Sequence, residues 1–105
     1  MTTSHYVVAS GHTTGGIHLH SGDTLVVLGG GTAVATVIDD GGSMTVSSGG
    51  LASGTDVHGG GILVVDGSAY RTSIHSGASE TVGAGGNDTR GNVFSGGSVT
   101  VLAGA

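Results

Sequence analysis

The sequence predicts an all-β chain wound into a right-handed parallel β-solenoid of about five to six coils of 19 residues. Three observations predict it. Glycine fills 24 of 105 positions, and proline and cysteine are absent. Valines recur in register: Val8, Val27, Val46 and Val65 are 19 apart, Val82 follows after 17, and Val101 after another 19. The apolar runs between glycine pairs are short and alternate, as in Leu63-Val64-Val65, which is the period of a strand with one face turned inward.

Taken along the chain, the first coil, "YVVASGHTTGGIHLHSGDTLVV", sets Tyr6 and Val8 two apart and breaks at Gly11, Gly15-Gly16 and Gly22. It is the least regular coil, and residues 1–26 are expected to act as a cap-like end of a single segment whose 19-residue repeats run over 27–101. From there each coil repeats one order. A turn (Gly30-Gly31, Gly49-Gly50, Gly67-Ser68, Gly85-Gly86) precedes a small residue from the column Thr14, Ala33, Ala52 and Ala69. Three positions on come Ile17, Thr36, Thr55, Thr72 and Gly91, and then Leu19, Ile38, Val57, Ile74 and Val93. A second turn starts at Gly22, Gly41, Gly60, Gly77 and Gly96. The column two before the valines reads Tyr6, Leu25, Met44, Leu63, Glu80 and Val99. Glycine belongs at such turns because they require a positive φ or a close backbone approach.

A single coil cannot stand alone. Its four or five small apolar side chains are worth roughly 1.5–3 kcal/mol each, less than the ordering entropy of its backbone. Stacking lets each strand pair with the equivalent strand above and below and joins the inward residues into dry columns. Right-handed winding follows from the general handedness of parallel crossovers.

Two places depart from the pattern. Glu80 stands in a column of Leu, Met and Val, and a lone buried carboxylate is costly. Either that column is half-buried or the short 17-residue coil turns Glu80 outward. At "VVDGSAYRT" the two missing residues predict a tighter corner. The closing "VTVLAGA" follows the template of "LVVLGGGTA" and stops, so the C-terminus is expected to fall mid-repeat.

Composition excludes several functions. Net charge is −5 and the basic residues are Arg71 and Arg90, so neither nucleic acid nor an anionic lipid surface is an expected partner. Thiolate sites need cysteine, and a phosphate loop needs the lysine that this chain lacks. No signal peptide opens the chain, and no run of about 18 apolar residues suits insertion into a membrane. Asp39 and Asp40 are adjacent and so face opposite sides of a strand; no catalytic residues are assigned, and no enzyme is expected. "GAGGNDTRGN" has the look of a calcium nonapeptide but occurs once. After the Leu19 column come His20, Asp39, His58, His75 and Phe94, an outward ladder, and His18 and His20 flank Leu19. Imidazole and carboxylate at that spacing can hold Zn²⁺ or Cu²⁺. Three converging ligands are needed, whereas His58 and His75 are the two adjacent candidates; the expectation is a solvated polar face with no metal and no cofactor.

Together, "SGDTL" and the "GG.A..T.V..GG" units, within Ser10–Val57, resemble the first repeats of AIDA-type autotransporter adhesins. The likeness runs from about Tyr6 to Val101. It implies a β-helical stalk on the surface of Gram-negative bacteria, outside the outer membrane. The expected roles are adherence to host cells, autoaggregation and biofilm growth, with a heptosyltransferase as the modifying partner. Matching acceptor serines are Ser21, Ser48, Ser76 and Ser95, with Ser10 and Ser53 as further candidates. The turn at Gly59-Gly60 lacks such a serine, and Asp40 replaces it before Gly41. The alternative is a glycan- or partner-binding solenoid without glycosylation. Exposed strand edges at the coil ends also allow end-to-end association with further copies.

Overall fold

The computed structural model describes residues 4–83, 85–89 and 91–102. Arg90 and most of the closing "LAGA" lie outside the described residues. The chain is a parallel β-solenoid of about five coils, with three short strands to each coil. The first coil holds β1 (His5–Val8), β2 (Thr13–Gly15) and β3 (His18–Leu19). The second holds β4 (Thr24–Val27), β5 (Thr32–Val34) and β6 (Val37–Ile38), and the third β7 (Ser43–Val46), β8 (Leu51–Ser53) and β9 (Asp56–Val57). The fourth holds β10 (Ile62–Val65), β11 (Ser68–Tyr70) and β12 (Ser73–Ile74). The fifth holds β13 (Ser79–Val82), β14 (Asn87–Thr89) and β15 (Asn92–Val93), and β16 (Ser98–Val101) follows.

Equivalent strands stack into three parallel sheets, in the orders β1-β4-β7-β10-β13-β16, β2-β5-β8-β11-β14 and β3-β6-β9-β12-β15. The register is the one the valine spacing predicts: Val8 pairs with Val27, Val27 with Val46, Val46 with Val65, Val65 with Val82 and Val82 with Val101. The core is the set of inward columns. Leu25, Met44 and Leu63, Val27, Val46 and Val65, Leu19, Ile38, Val57 and Ile74, and Ala33, Ala52 and Ala69 are all buried. Alternation explains it: in β4, Leu25 and Val27 point inward while Thr24 and Val26 are half-buried on the outer face. Thr36, Thr55 and Thr72 add an inner threonine column whose hydroxyls have no protein partner.

The short coil loses its two residues at one corner. Between β7 and β8 the chain spends four residues, Ser47 to Gly50; between β10 and β11 it spends only Asp66 and Gly67. The chain cuts that corner. Asp66 N–H and Gly67 N–H both donate to the Val46 carbonyl, at 2.8 and 3.1 Å, and Gly67 is buried. The tighter corner expected from the spacing is present.

Glu80 corrects the sequence reading. Its column is not half-buried and the short coil does not turn it out: Glu80 is 1% exposed and pairs with Leu63 on one side and Val99 on the other. The reason lies one strand on. Asp88 of β14 pairs with Ala69, so it continues the inward small-residue column. Burial first, and then the neighbouring Asp88 carboxyl, push the Glu80 carboxyl up to about 9. Glu80 is therefore a neutral acid at ordinary pH, which removes most of the cost of burying it. Asp88 is the polar group placed to share its proton, although neither Glu80 oxygen completes a hydrogen bond in this geometry.

Candidate modification edges and a histidine face

Two of the three corners of each coil are built alike, except in the fourth coil, where the short Asp66-Gly67 corner replaces the first of them. In the first, Gly31 N–H donates to Leu28 O and Gly50 N–H to Ser47 O, both at 2.8 Å. In the second, Asp23 N–H donates to His20 O at 2.9 Å and Ala78 N–H to His75 O at 3.0 Å. Each is a four-residue turn whose third residue is a glycine with φ near +80°, as at Gly22, Gly30, Gly41, Gly49, Gly60, Gly77 and Gly96. That is the requirement of a type II turn. The glycines also stack: Gly41 N–H donates to Gly60 O, Gly60 to Gly77 and Gly77 to Gly96, at 3.0–3.2 Å. A Cβ on Gly41 would lie 2.9 Å from Ser21 Cα, so the residue before each glycine rides directly over the glycine of the next coil.

That preceding residue is where the candidate serines fall. Ser10, Ser21, Ser48, Ser76 and Ser95 are each the second residue of such a turn, and all are exposed. One edge of the solenoid carries Ser21, Asp40, Gly59, Ser76 and Ser95 in successive coils, and a second carries Ser10, Gly29 and Ser48. Ser53 stands elsewhere. It ends β8, is half-buried, and precedes Gly54 at the third, two-residue corner. That third corner also needs a positive φ, supplied by Gly16 and Gly54 but by Ala35 and Arg71 in the intervening coils, both at 57°.

The outer face of the third sheet is a two-column grid. One column is His18, Val37, Asp56, Ser73 and Asn92, set by strand pairing. The other, just past each strand, is His20, Asp39, His58, His75 and Phe94. His58 stacks on His75 with ring centres 4.6 Å apart and planes at 5°, and His75 on Phe94 at 4.8 Å and 7°. Rings stacked in parallel direct their in-plane lone pairs side by side, not at one point. At the other end of the face His20 Nδ1 lies 3.3 Å from Asp39 Oδ2. His18, His20 and Asp39 bring one ligand atom each within 4.8 Å of the others. Sequence reasoning named His20 and Asp39 in one column yet missed that His18 completes a trio.

Beside this group, Asp23 closes the first coil. Its carboxylate accepts from Ser4 N–H at 2.7 Å and from His20 N–H at 3.0 Å. Those two bonds, His20's being the larger, hold its carboxyl below the usual range.

Comparison with known proteins gives this geometry a family. Residues 2–61 match the family described as "Adhesin of bacterial autotransporter system, probable stalk". The chain belongs to this AIDA stalk family. None of the curated proteins is similar enough to count as a relative. Among solved structures, the TibC-catalysed hyper-glycosylated TibA55–350 fragment superposes with a TM-score of 0.88 at 37% identity. The match covers 92% of this AIDA-type chain and 38% of that fragment. The two share the solenoid along nearly the whole length of this chain, and this chain spans well under half of the other.

Proposed function

We propose that the chain is a non-enzymatic stalk segment of a surface-exposed autotransporter adhesin that serves adherence and self-association. We propose further that its turn serines accept O-linked heptose from a dedicated bacterial glycosyltransferase. The observation that carries the acceptor reading is the repeated corner: an exposed serine at the second position of a type II turn, followed by a glycine with no side chain to crowd it. Likeness to a hyper-glycosylated solenoid supports it. A transferase that reads this corner would meet the same backbone shape in successive coils, so one active site serves many acceptors. The same family membership supports extracellular placement at the bacterial surface.

The test is intact-mass measurement after co-expression with a bacterial autotransporter heptosyltransferase. The expected result is a ladder of single-heptose additions. Ser48→Ala and Ser76→Ala should each remove one addition, and Ser53→Ala should remove none, because Ser53 lies outside the turn. An unmodified chain, or a ladder that survives Ala at Ser10, Ser21, Ser48, Ser76 and Ser95 together, would contradict the acceptor role.

A further inference from the structure

We propose that His18, His20 and Asp39 form a binding site for a borderline divalent transition-metal ion of the Zn²⁺ class, which clamps the first coil to the second. Strand period puts His18 and His20 on the same outer face, either side of buried Leu19. Parallel pairing of β3 with β6, Leu19 against Ile38, then sets Asp39 one rung over His20. The result is two imidazoles and one carboxylate with donor atoms all within 4.8 Å. In a tetrahedral zinc site with bonds of about 2.0–2.2 Å, neighbouring donors lie roughly 3.4 Å apart. His20 Nδ1 and Asp39 Oδ2 already stand at 3.3 Å. The remaining adjustment is a side-chain rotation of the two exposed imidazoles and the half-buried Asp39 carboxylate. The other nearby carboxylate, Asp23, is committed to the N–H groups of Ser4 and His20, so Asp39 is the ligand and Asp23 the brace. Two imidazoles with one carboxylate match Zn²⁺, Cu²⁺, Ni²⁺ and Co²⁺ rather than Ca²⁺ or Mg²⁺. One coordination position is left for water. Since two ligands come from one coil and one from the next, the full ligand set exists only in the stacked state, so the ion binds that state more tightly than the unfolded chain and stabilises it.

The test is calorimetric titration of the untagged full chain with Zn²⁺ alone, paired with thermal unfolding followed by circular dichroism. Binding of one ion per chain is expected, with a rise in the unfolding midpoint. His20→Ala and Asp39→Ala should each weaken binding at least tenfold and abolish the rise. The double variant His58→Ala/His75→Ala should bind as the parent does. These side chains sit on the outer face, and an unchanged dichroism spectrum certifies the fold of each variant. Absence of saturable one-to-one binding, a loss below tenfold in His20→Ala or Asp39→Ala, or loss in the His58/His75 variant would overturn the proposal.

Discussion

Replacing Glu80 by leucine is expected to raise stability at neutral pH and to flatten its dependence on pH between about 4.5 and 9. Glu80 fills a position that Leu25, Met44 and Leu63 occupy in the coils before it, so leucine fits the column. Its carboxyl is pushed up to about 9 from an ordinary 4.5. For a group whose folded value is raised, stability is fully present below the unfolded value and is lost as pH climbs toward the folded one. The parent should therefore be most stable near pH 4.5 and weaken steadily to about 9. From pH 4.5 to 7 that linkage amounts to roughly 3 kcal/mol. Asp88 is half-buried, with Oδ1 enclosed and without a partner while the residue as a whole still reaches solvent, so it tolerates the apolar neighbour. Urea unfolding at pH 4.5, 7 and 9 checks this. A leucine variant less stable than its parent at pH 7, or one that keeps the parent's slope, would show that Glu80 is not a buried neutral acid.

Gly67→Ala should be among the most damaging single-methyl changes at the described glycines. At the short corner a Cβ would come within 3.0 Å of Ser47 O, Gly50 O and Gly50 N, all of them backbone atoms that stacking holds in place. The expected cost is roughly 3 kcal/mol or more. Gly11→Ala separates crowding from conformation: φ there is +81°, yet nothing lies within 4 Å of a new Cβ. It should cost only about 1–2 kcal/mol, the left-handed penalty alone. Equal losses in the two variants, read from denaturation midpoints, would mean that the corner at Asp66-Gly67 is not as tight as described.

The columns could be read in advance because two periods act together. Alternation fixes which residue points inward, and a constant coil length repeats that choice 19 residues later. Val27, Val46 and Val65 obey both, and so do Leu19, Ile38 and Val57. The division into three sheets could not be read, because a two-residue strand such as β6 carries no periodicity of its own. The third corner was equally hidden, since Ala35 and Arg71 take a conformation that composition assigns to glycine. Glu80 was misread because its burial depends on Asp88, the residue 19 after Ala69, which extends a column that looks complete without it. The turn serines could be found since a glycine with positive φ follows each one. The metal trio could not be found by scanning one column. It needs a step of two along the strand and a step of 19 across it, taken at once.

The most direct test of the whole account is a set of methyl–methyl NOEs in a sample labelled at valine methyl groups. Rungs 19 residues apart predict contacts joining Val8 to Val27, Val27 to Val46, and Val46 to Val65, with Val65 to Val82 across the short coil. Cross-peaks that instead linked sequence-neighbouring segments in antiparallel order, with none between Val27 and Val46, would contradict it.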